Sequence, residues 1–334
     1  MEYILNKTPI RTSNNFNIND FKIDLDIKKT NYNDFKISND KVIIKKEIKR
    51  NFTSRIGLDN DEYLNLDIKI DNIKEPLLIT YDFDNNSYLT SMLNLTIENN
   101  ANVIIVFNSK NEAFLNTKIV IKAKDNSNSN ISIVNLLSND SKSFISIENN
   151  IYENANSIVN FIELGSKIKV SNYYSMINGR NGKNYFNSLY YGKDDEKIDL
   201  NYYIGNNNKN TISNIIVEGA LNNKAHKSFK GTIDFYEGSS KSIGEEKENC
   251  TLLSAKAVSK SLPMLLCHEE DVEGAHGVST GKMDEDILFY LMSRGIDEKN
   301  AKKLIINSNF NKVINNIPDD NIKNIIIDNI NKKL

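Results

Sequence analysis

Residues 197–208 read KIDLNYYIGNNN. Ile198, Leu200, Tyr202 and Ile204 alternate with Lys197, Asp199, Asn201 and Tyr203. A period of two sends one row inward and the other outward along a strand. The run ends on Asn206, Asn207 and Asn208, side chains that tolerate positive φ and suit a corner. The same pattern extends both ways, from about residue 77 to about residue 262. Ile119, Ile121 and Ala123 alternate with Lys118, Lys122 and Lys124, and Ile131 and Ile133 with Asn130 and Ser132. Further polar corners stand at 99–100, 126–130, 149–150 and 179–182, recurring every ~20–30 residues. That interval suits the coils of a solenoid. No strict repeat accompanies it, so a two-sheet sandwich fits the spacing as well.

With 334 residues, 39% of them hydrophobic, the chain has material for a sizeable core. Its 42 basic and 44 acidic residues give a net charge of −2 and no broad field for nucleic acid. No apolar run approaches the ~18 residues that span a bilayer. The start, MEYILNKTPIRTS, lacks the sustained apolar stretch of a secretory signal. Two cysteines do not make a disulfide framework. The expectation is a reduced, cytoplasmic protein that binds neither nucleic acid nor membrane.

Residues 6–17 read as an extended lead-in, because Pro9 biases its neighbour away from helix. Residues 42–50 (VIIKKEIKR) fit a strand or a short helix. After Gly281 the period becomes helical. Asp284 can cap a helix with Ile287, Leu288, Leu291 and Met292 on one side, stopped by Gly295. Asp297 can cap a second with Ala301, Leu304 and Ile305 inward. Pro318-Asp319 starts a third, with Ile322, Ile325, Ile326 and Ile330 at steps of three and four. These helices are expected to pack on the end of the β-region, on a partner, or on both.

Chemistry-bearing residues gather in 242–295, which holds Cys250, Cys267, His268 and His276. Cys267 ends an apolar run, where a cysteine is often a small buried hydrophobe, yet His268 and an acidic cluster follow it. His276 sits in Gly274-Ala275-His276-Gly277, whose small neighbours leave an approachable ring; a turn histidine bonded to backbone is the plainer alternative. On a strand, Glu246, Glu248 and Cys250 would share one face. A solvated charge run explains the same letters. His226, among lysines, reads as a surface position. No phosphate-binding glycine loop, Cys-x-x-Cys pair or nucleophile elbow is present.

Three motifs in order, Pro-Met-Leu-Leu-Cys at 263–267, Gly-Ala-His-Gly at 274–277 and Leu-Phe-Tyr-Leu-Met-Ser-Arg-Gly at 288–295, resemble the SufB/SufD family. That family supplies scaffold subunits for iron–sulfur cluster assembly. The resemblance implies a mainly β chain built on a right-handed parallel β-helix. It would carry a short N-terminal region (1–70), a β-helix core (71–282) and a C-terminal helical domain (283–334). It implies a transient iron–sulfur cluster at a subunit interface, with Cys267, His276, Glu248 and Glu246 as candidate ligands. Thiolate is the favoured donor, and imidazole or carboxylate leaves a site labile.

The resemblance also implies an ABC-type ATPase partner, SufC, gripped after Gly281, with Ile287, Leu291 and Arg294 as candidate contacts. Arg294 can equally serve the helix C-terminus. Sulfur would come from a cysteine desulfurase system, and the subunit itself would be no enzyme. Longer SufB-type members carry a sulfur-accepting cysteine where this chain has Glu248, so that role is not carried over. The pattern looks like the short members that form homodimers; a SufD-like accessory subunit, paired with a paralogue, is the near alternative. A secreted-type β-helical polysaccharide-active enzyme and a thiol enzyme using Cys267 with His276 or His268 are the rivals from other classes.

Overall fold

The computed structural model describes residues 1–11, 17–30, 35–39, 42–73, 75–83 and 87–334. Strands β1 (Glu2–Leu5) and β2 (Phe21–Asp24) pair antiparallel. Next come β3 (Phe35–Asn39), β4 (Lys45–Phe52), β5 (Asn60–Asn72), β6 (Leu77–Phe83) and the long β7 (Ser87–Ser109). The series continues with β8 (Ala113–Ala123), β9 (Asn128–Leu136), β10 (Lys142–Ile151), β11 (Asn156–Glu163), β12 (Ile168–Ile177) and β13 (Lys183–Gly192). It closes with β14 (Lys197–Asn206), β15 (Ile212–Leu221), β16 (His226–Phe235), β17 (Ser242–Leu252), β18 (Val258–Cys267) and β19 (Val272–Lys282). Three helices follow, α1 (Glu285–Ser293), α2 (Glu298–Ile314) and α3 (Asp320–Lys333).

From β8 to β19 each strand pairs in parallel with the strand two places away, so even and odd strands stack into two sheets. One circuit advances the chain by 26 to 32 residues, as from Lys142 to Ile168 and from His226 to Val258. About eight circuits make a parallel β-solenoid, and the sandwich is excluded. The first part of β7 joins the even sheet beside β5 and β8; its last part joins the odd sheet beside β6 and β9. The expected boundaries at 70/71 and 282/283 fall within β5 and directly after β19.

Stacked asparagines make one row of corners. Asn126, Asn154, Asn181 and Asn210 all take positive φ, at 62°, 53°, 58° and 57°. The amides of Asn154, Asn181 and Asn210 each donate to the asparagine one circuit below, at 3.1, 2.8 and 3.3 Å. This satisfies the amides along the axis and fixes the register. The expected corner at 149–150 is instead inside β10, because the Asn149 NH2 finds partners inside the solenoid, Ser157 Oγ at 3.1 Å and, from the next coil, Tyr173 OH at 3.0 Å. The 99–100 station lies where β7 passes from one sheet to the other.

Aliphatic and aromatic rows fill the space between the sheets, from Leu66 and Ile79 to Ile233 and Phe235. Parallel sheets need cover on their outer faces too. The even sheet's outer face (Phe114, Phe144, Val170) is covered by Leu5, Leu25, Ile56 and Leu58. Asn6 clamps this layer down, donating to Asp199 Oδ1 at 2.7 Å, while Lys230 Nζ reaches Asn6 O at 2.8 Å and Asp199 Oδ1 at 2.6 Å. Residues 42–50 resolve as the lead-in to β4 and most of that strand. Of the lead-in expected over 6–17, residues 12–16 lie outside the described residues.

The odd sheet's outer face (Val134, Ile162, Leu189, Tyr191) is covered by Ile306, Phe310, Val313, Ile322, Ile326 and Ile330. Helices α2 and α3 thus lie along the flank of the solenoid, anchored by Lys312 to Glu218 at 2.7 Å, not on its end. Asp284, Asp297 and Asp319 cap the three helices as their positions foretold. Leu304 and Ile325 are exposed, contrary to the inward placement read from spacing. No helix among the described residues is long and apolar enough to cross a membrane.

Candidate functional site at the open end of the solenoid

The two ends of the solenoid differ. At the N-terminal end β3 lies antiparallel on β6 and β4 antiparallel on β5. Strand β4 exposes Lys45, Lys46, Lys49 and Arg50, the charges that keep an edge strand from recruiting another chain. At the other end, β18 pairs with β16 and β19 with β17, and among the described strands nothing pairs beyond them. Residues 261–267 and 274–281 carry no charged side chain. Strand β19 is exposed from Glu273 to Lys282.

Alternation defines the inner row of this last coil. Leu265 and Val272 pack on the core, so Cys267 shares the inner face of β18, and Gly274, His276 and Val278 share that of β19. With no coil stacked above them, Cys267 and His276 are exposed. His276 stands in register with Glu246 one circuit below, and Val278 with Glu248. Cys267 stands at the far end of β18, in register with Phe235.

Beneath the mouth, Glu246, Glu248 and Cys250 all point inward, as a shared strand face predicts. The outward neighbours Glu245 and Lys247 pair with each other on the surface, so the solvated run holds for them alone. Glu248 is fully engaged: Lys227 Nζ donates to Oε1, Tyr190 OH donates to the same oxygen at 3.0 Å, and Ser261 Oγ donates to Oε2 at 2.6 Å. Lys227 also reaches Ser261 Oγ at 2.9 Å, and both members of the ion pair are fully buried. Gly219 makes the arrangement possible, since a Cβ there would strike the Tyr190 ring.

Glu246 is the opposite case. Neither carboxylate oxygen has a hydrogen-bond partner among the described residues. Burial first, and the Glu248 charge second, push its pKa up to about 8. Gly231 faces it, and a Cβ there would overlap the carboxylate. Burial likewise raises the Cys250 thiol above its ordinary value, with Lys227 pulling the other way. An inert, protonated thiol is the result at neutral pH.

Residues 82–309 match the family model for the SUF system FeS cluster assembly, SufBD core domain. The chain belongs to the SufB/SufD family. Similar proteins include the iron–sulfur cluster assembly protein SufD of Bacillus subtilis (strain 168), 33% identical over 120 residues, 36% of this chain and 28% of that protein. SufD of Escherichia coli (strain K12) is 25% identical over 182 residues, 54% of this chain and 43% of that protein. A SufBD family protein of Mycobacterium leprae is 25% identical over 154 residues, 44% of this chain and 39% of that protein. The matches span less than half the length of these relatives.

Against this family background, the structure brings His276 and Glu246 side by side and leaves Cys267 apart from them in register. Among the described residues, no three His, Cys, Asp or Glu side chains converge as a metal site within one chain. On α1, Ile287 and Arg294 are exposed and Leu291 is half-buried; Leu288 alone of its apolar side packs on the odd-sheet layer. Arg294 stacks its guanidinium 5.3 Å from the Tyr290 ring centre, and Gly295 at φ 89° ends the helix. His226 is on the surface as expected. Lys227, the buried partner of Glu248, is a site residue that no sequence motif marks. Its parity was the available signal: 227 shares the inward row of Phe229, Gly231, Ile233 and Phe235.

Proposed function

We propose that this chain is a cytoplasmic scaffold subunit that assembles a labile iron–sulfur cluster where its open end meets a second solenoid. The observation that carries the reading is the contrast between the charged, capped end and the unpaired edges of β18 and β19, free of charged side chains over 261–267 and 274–281. A free edge of that kind is a template for strand pairing with another chain. Joining two copies, or one copy and a paralogue, would bring exposed Cys267 and His276 from each side to one joint. Thiolate and imidazole suit iron and sulfide, and a mixed ligand set keeps the cargo transferable. Glu246, directly beneath His276, would add a carboxylate once ionised. Glu248, already held by Lys227, would serve the coil's structure.

Sulfur would come from a cysteine desulfurase system. ATP hydrolysis would belong to an ABC-type ATPase partner docked on α1, whose Ile287, Phe289, Tyr290 and Met292 are exposed. Substituting Ile287→Asp with Tyr290→Asp is expected to leave folding stability within about 0.5 kcal/mol, as surface changes do. Pull-down of the ATPase should be abolished; undiminished capture would sink α1 as the docking face.

A second reading, a SufD-like accessory subunit holding no cluster alone, is favoured by the names of the two SufD relatives. Anaerobic co-expression with the ATPase, followed by iron and sulfide analysis, separates them. Near-stoichiometric iron and sulfide, lost in Cys267→Ser, supports the self-sufficient scaffold. A stable complex without cluster supports the accessory role, and a cluster surviving Cys267→Ser removes that residue as a ligand.

A further inference from the structure

Outside the open mouth, the corner between β16 and β17 meets the bend that follows β18. Asp234 lies on the outer face of β16 and is only 6% exposed. Its Oδ2 accepts from Tyr203 OH at 2.7 Å, and Tyr203 OH is also 2.7 Å from Tyr236 OH. Tyr203 in turn stacks on Tyr174, rings 4.8 Å apart and within 5° of parallel. The carboxylate is therefore held in one orientation by a pinned phenol pair. Its other oxygen, Oδ1, is buried and has no hydrogen-bond partner among the described residues.

The group facing Oδ1 is His268 Nε2, at 3.7 Å. That is too long for a hydrogen bond. A buried carboxylate oxygen with no donor is costly, so something should complete it. His268 is itself placed by its backbone N–H, which donates to Phe235 O at 2.8 Å, and its ring leans on Tyr236 with centroids 6.4 Å apart. Its side chain is otherwise open to solvent.

We propose that Asp234 Oδ1 and His268 Nε2 hold a divalent first-row transition-metal ion on the outer corner of the terminal coil. Metal–nitrogen and metal–oxygen bonds of about 2.0–2.2 Å set two such donors about 3.4 Å apart at a tetrahedral angle. The gap is wider by a few tenths of an ångström, which a small turn of the exposed imidazole closes. The donor pair, one imidazole and one carboxylate, suits iron(II), cobalt(II) or zinc, whereas magnesium and calcium want oxygen alone. The Tyr203–Tyr236 pair then acts as the outer hydrogen-bond support that orients a ligating carboxylate.

The two segments that meet at the corner carry Glu237, Glu269, Glu270 and Asp271 against Lys241, with Lys209 beside Glu269, a balance that favours a cation there. Glu269 is not free to ligate, since its oxygens accept from the backbone N–H groups of Gly238, Glu270 and Asp271. Two protein donors leave the remaining positions to water, so the ion exchanges readily. Under the cluster reading above, iron(II) is the ion concerned, one residue along the chain from Cys267; the binding itself does not depend on that reading.

The test is anaerobic titration of the full chain with cobalt(II), read by its visible absorption and by equilibrium dialysis. A Cys267→Ser/His276→Ala background removes the mouth. That background should bind one equivalent. Adding His268→Ala or Asp234→Asn should weaken binding by more than tenfold, and Tyr203→Phe by about tenfold. Both ligand changes spare the fold, since His268 is exposed and asparagine keeps an oxygen for Tyr203. No binding in the background, or binding indifferent to His268→Ala, overturns the site. Neither outcome bears on iron and sulfide retention through Cys267, so the two ideas fail separately.

Discussion

Replacing Lys227 with alanine is expected to destabilise the chain by about 3–5 kcal/mol, the cost of leaving one member of a buried ion pair alone. The Lys227 amine and the Glu248 carboxylate are fully enclosed in the last coils, and Tyr190 and Ser261 complete the carboxylate's bonds. Without the ammonium, Glu248 must either stay charged in a poor medium or take up a proton. Replacing both partners, Lys227→Met with Glu248→Leu, should recover most of the loss, since matched apolar groups remove the desolvation cost. Urea unfolding followed by circular dichroism is the measurement, as the chain has no tryptophan. A Lys227→Ala protein within about 1 kcal/mol of wild type would show that water reaches the pair.

Glu246→Gln is expected to change how stability depends on pH. Burial raises the folded-state pKa of Glu246 from 4.5 to about 8. Below pH 4.5 the carboxyl is protonated in both states, and its contribution is fully present. As pH rises from 4.5 the unfolded chain releases the proton while the folded chain keeps it, so stability falls until the folded group also ionises near pH 8. The shift is worth on the order of a few kcal/mol, at about 1.4 kcal/mol per unit. Glutamine cannot ionise, so the variant should gain on wild type steadily between pH 5 and pH 8, by an amount of that order. Denaturation midpoints at several pH values decide it. Parallel curves for the two proteins would place Glu246 in contact with solvent.

These two carboxylates show where sequence reading reached and where it stopped. Alternation placed Glu246, Glu248 and Cys250 on one face, and the structure has all three inward. What alternation could not say is that one carboxylate finds a lysine and the other finds no hydrogen-bond partner among the described residues. Lys227 is 21 residues from Glu248 and meets it only because β16 and β17 face each other across the interior of the solenoid. The same limit appears at the mouth: Cys267 and His276 are close in the chain, yet they end up on strands of opposite sheets.

Local sequence pattern was enough for the strands between about 77 and 262, most corners and all three helix starts. Each depends on neighbours within a few residues: the period of two at 197–204, the positive φ that asparagine tolerates, the aspartates that cap. Tertiary structure decided the rest. Asp199, Asn201 and Tyr203 face outward as their parity requires, yet they are buried, Asp199 under Asn6 from 193 residues earlier. Asn149 reads as a corner and becomes a strand residue because its amide NH2 donates to Ser157 across the coil and to Tyr173 from the next one. The C-terminal helices take the flank of the odd sheet because an apolar outer face waits there, while the open end keeps its edges free. Periodicity reports which side of its own backbone a residue takes; which segment comes to cover that side is set by contacts far apart in the chain.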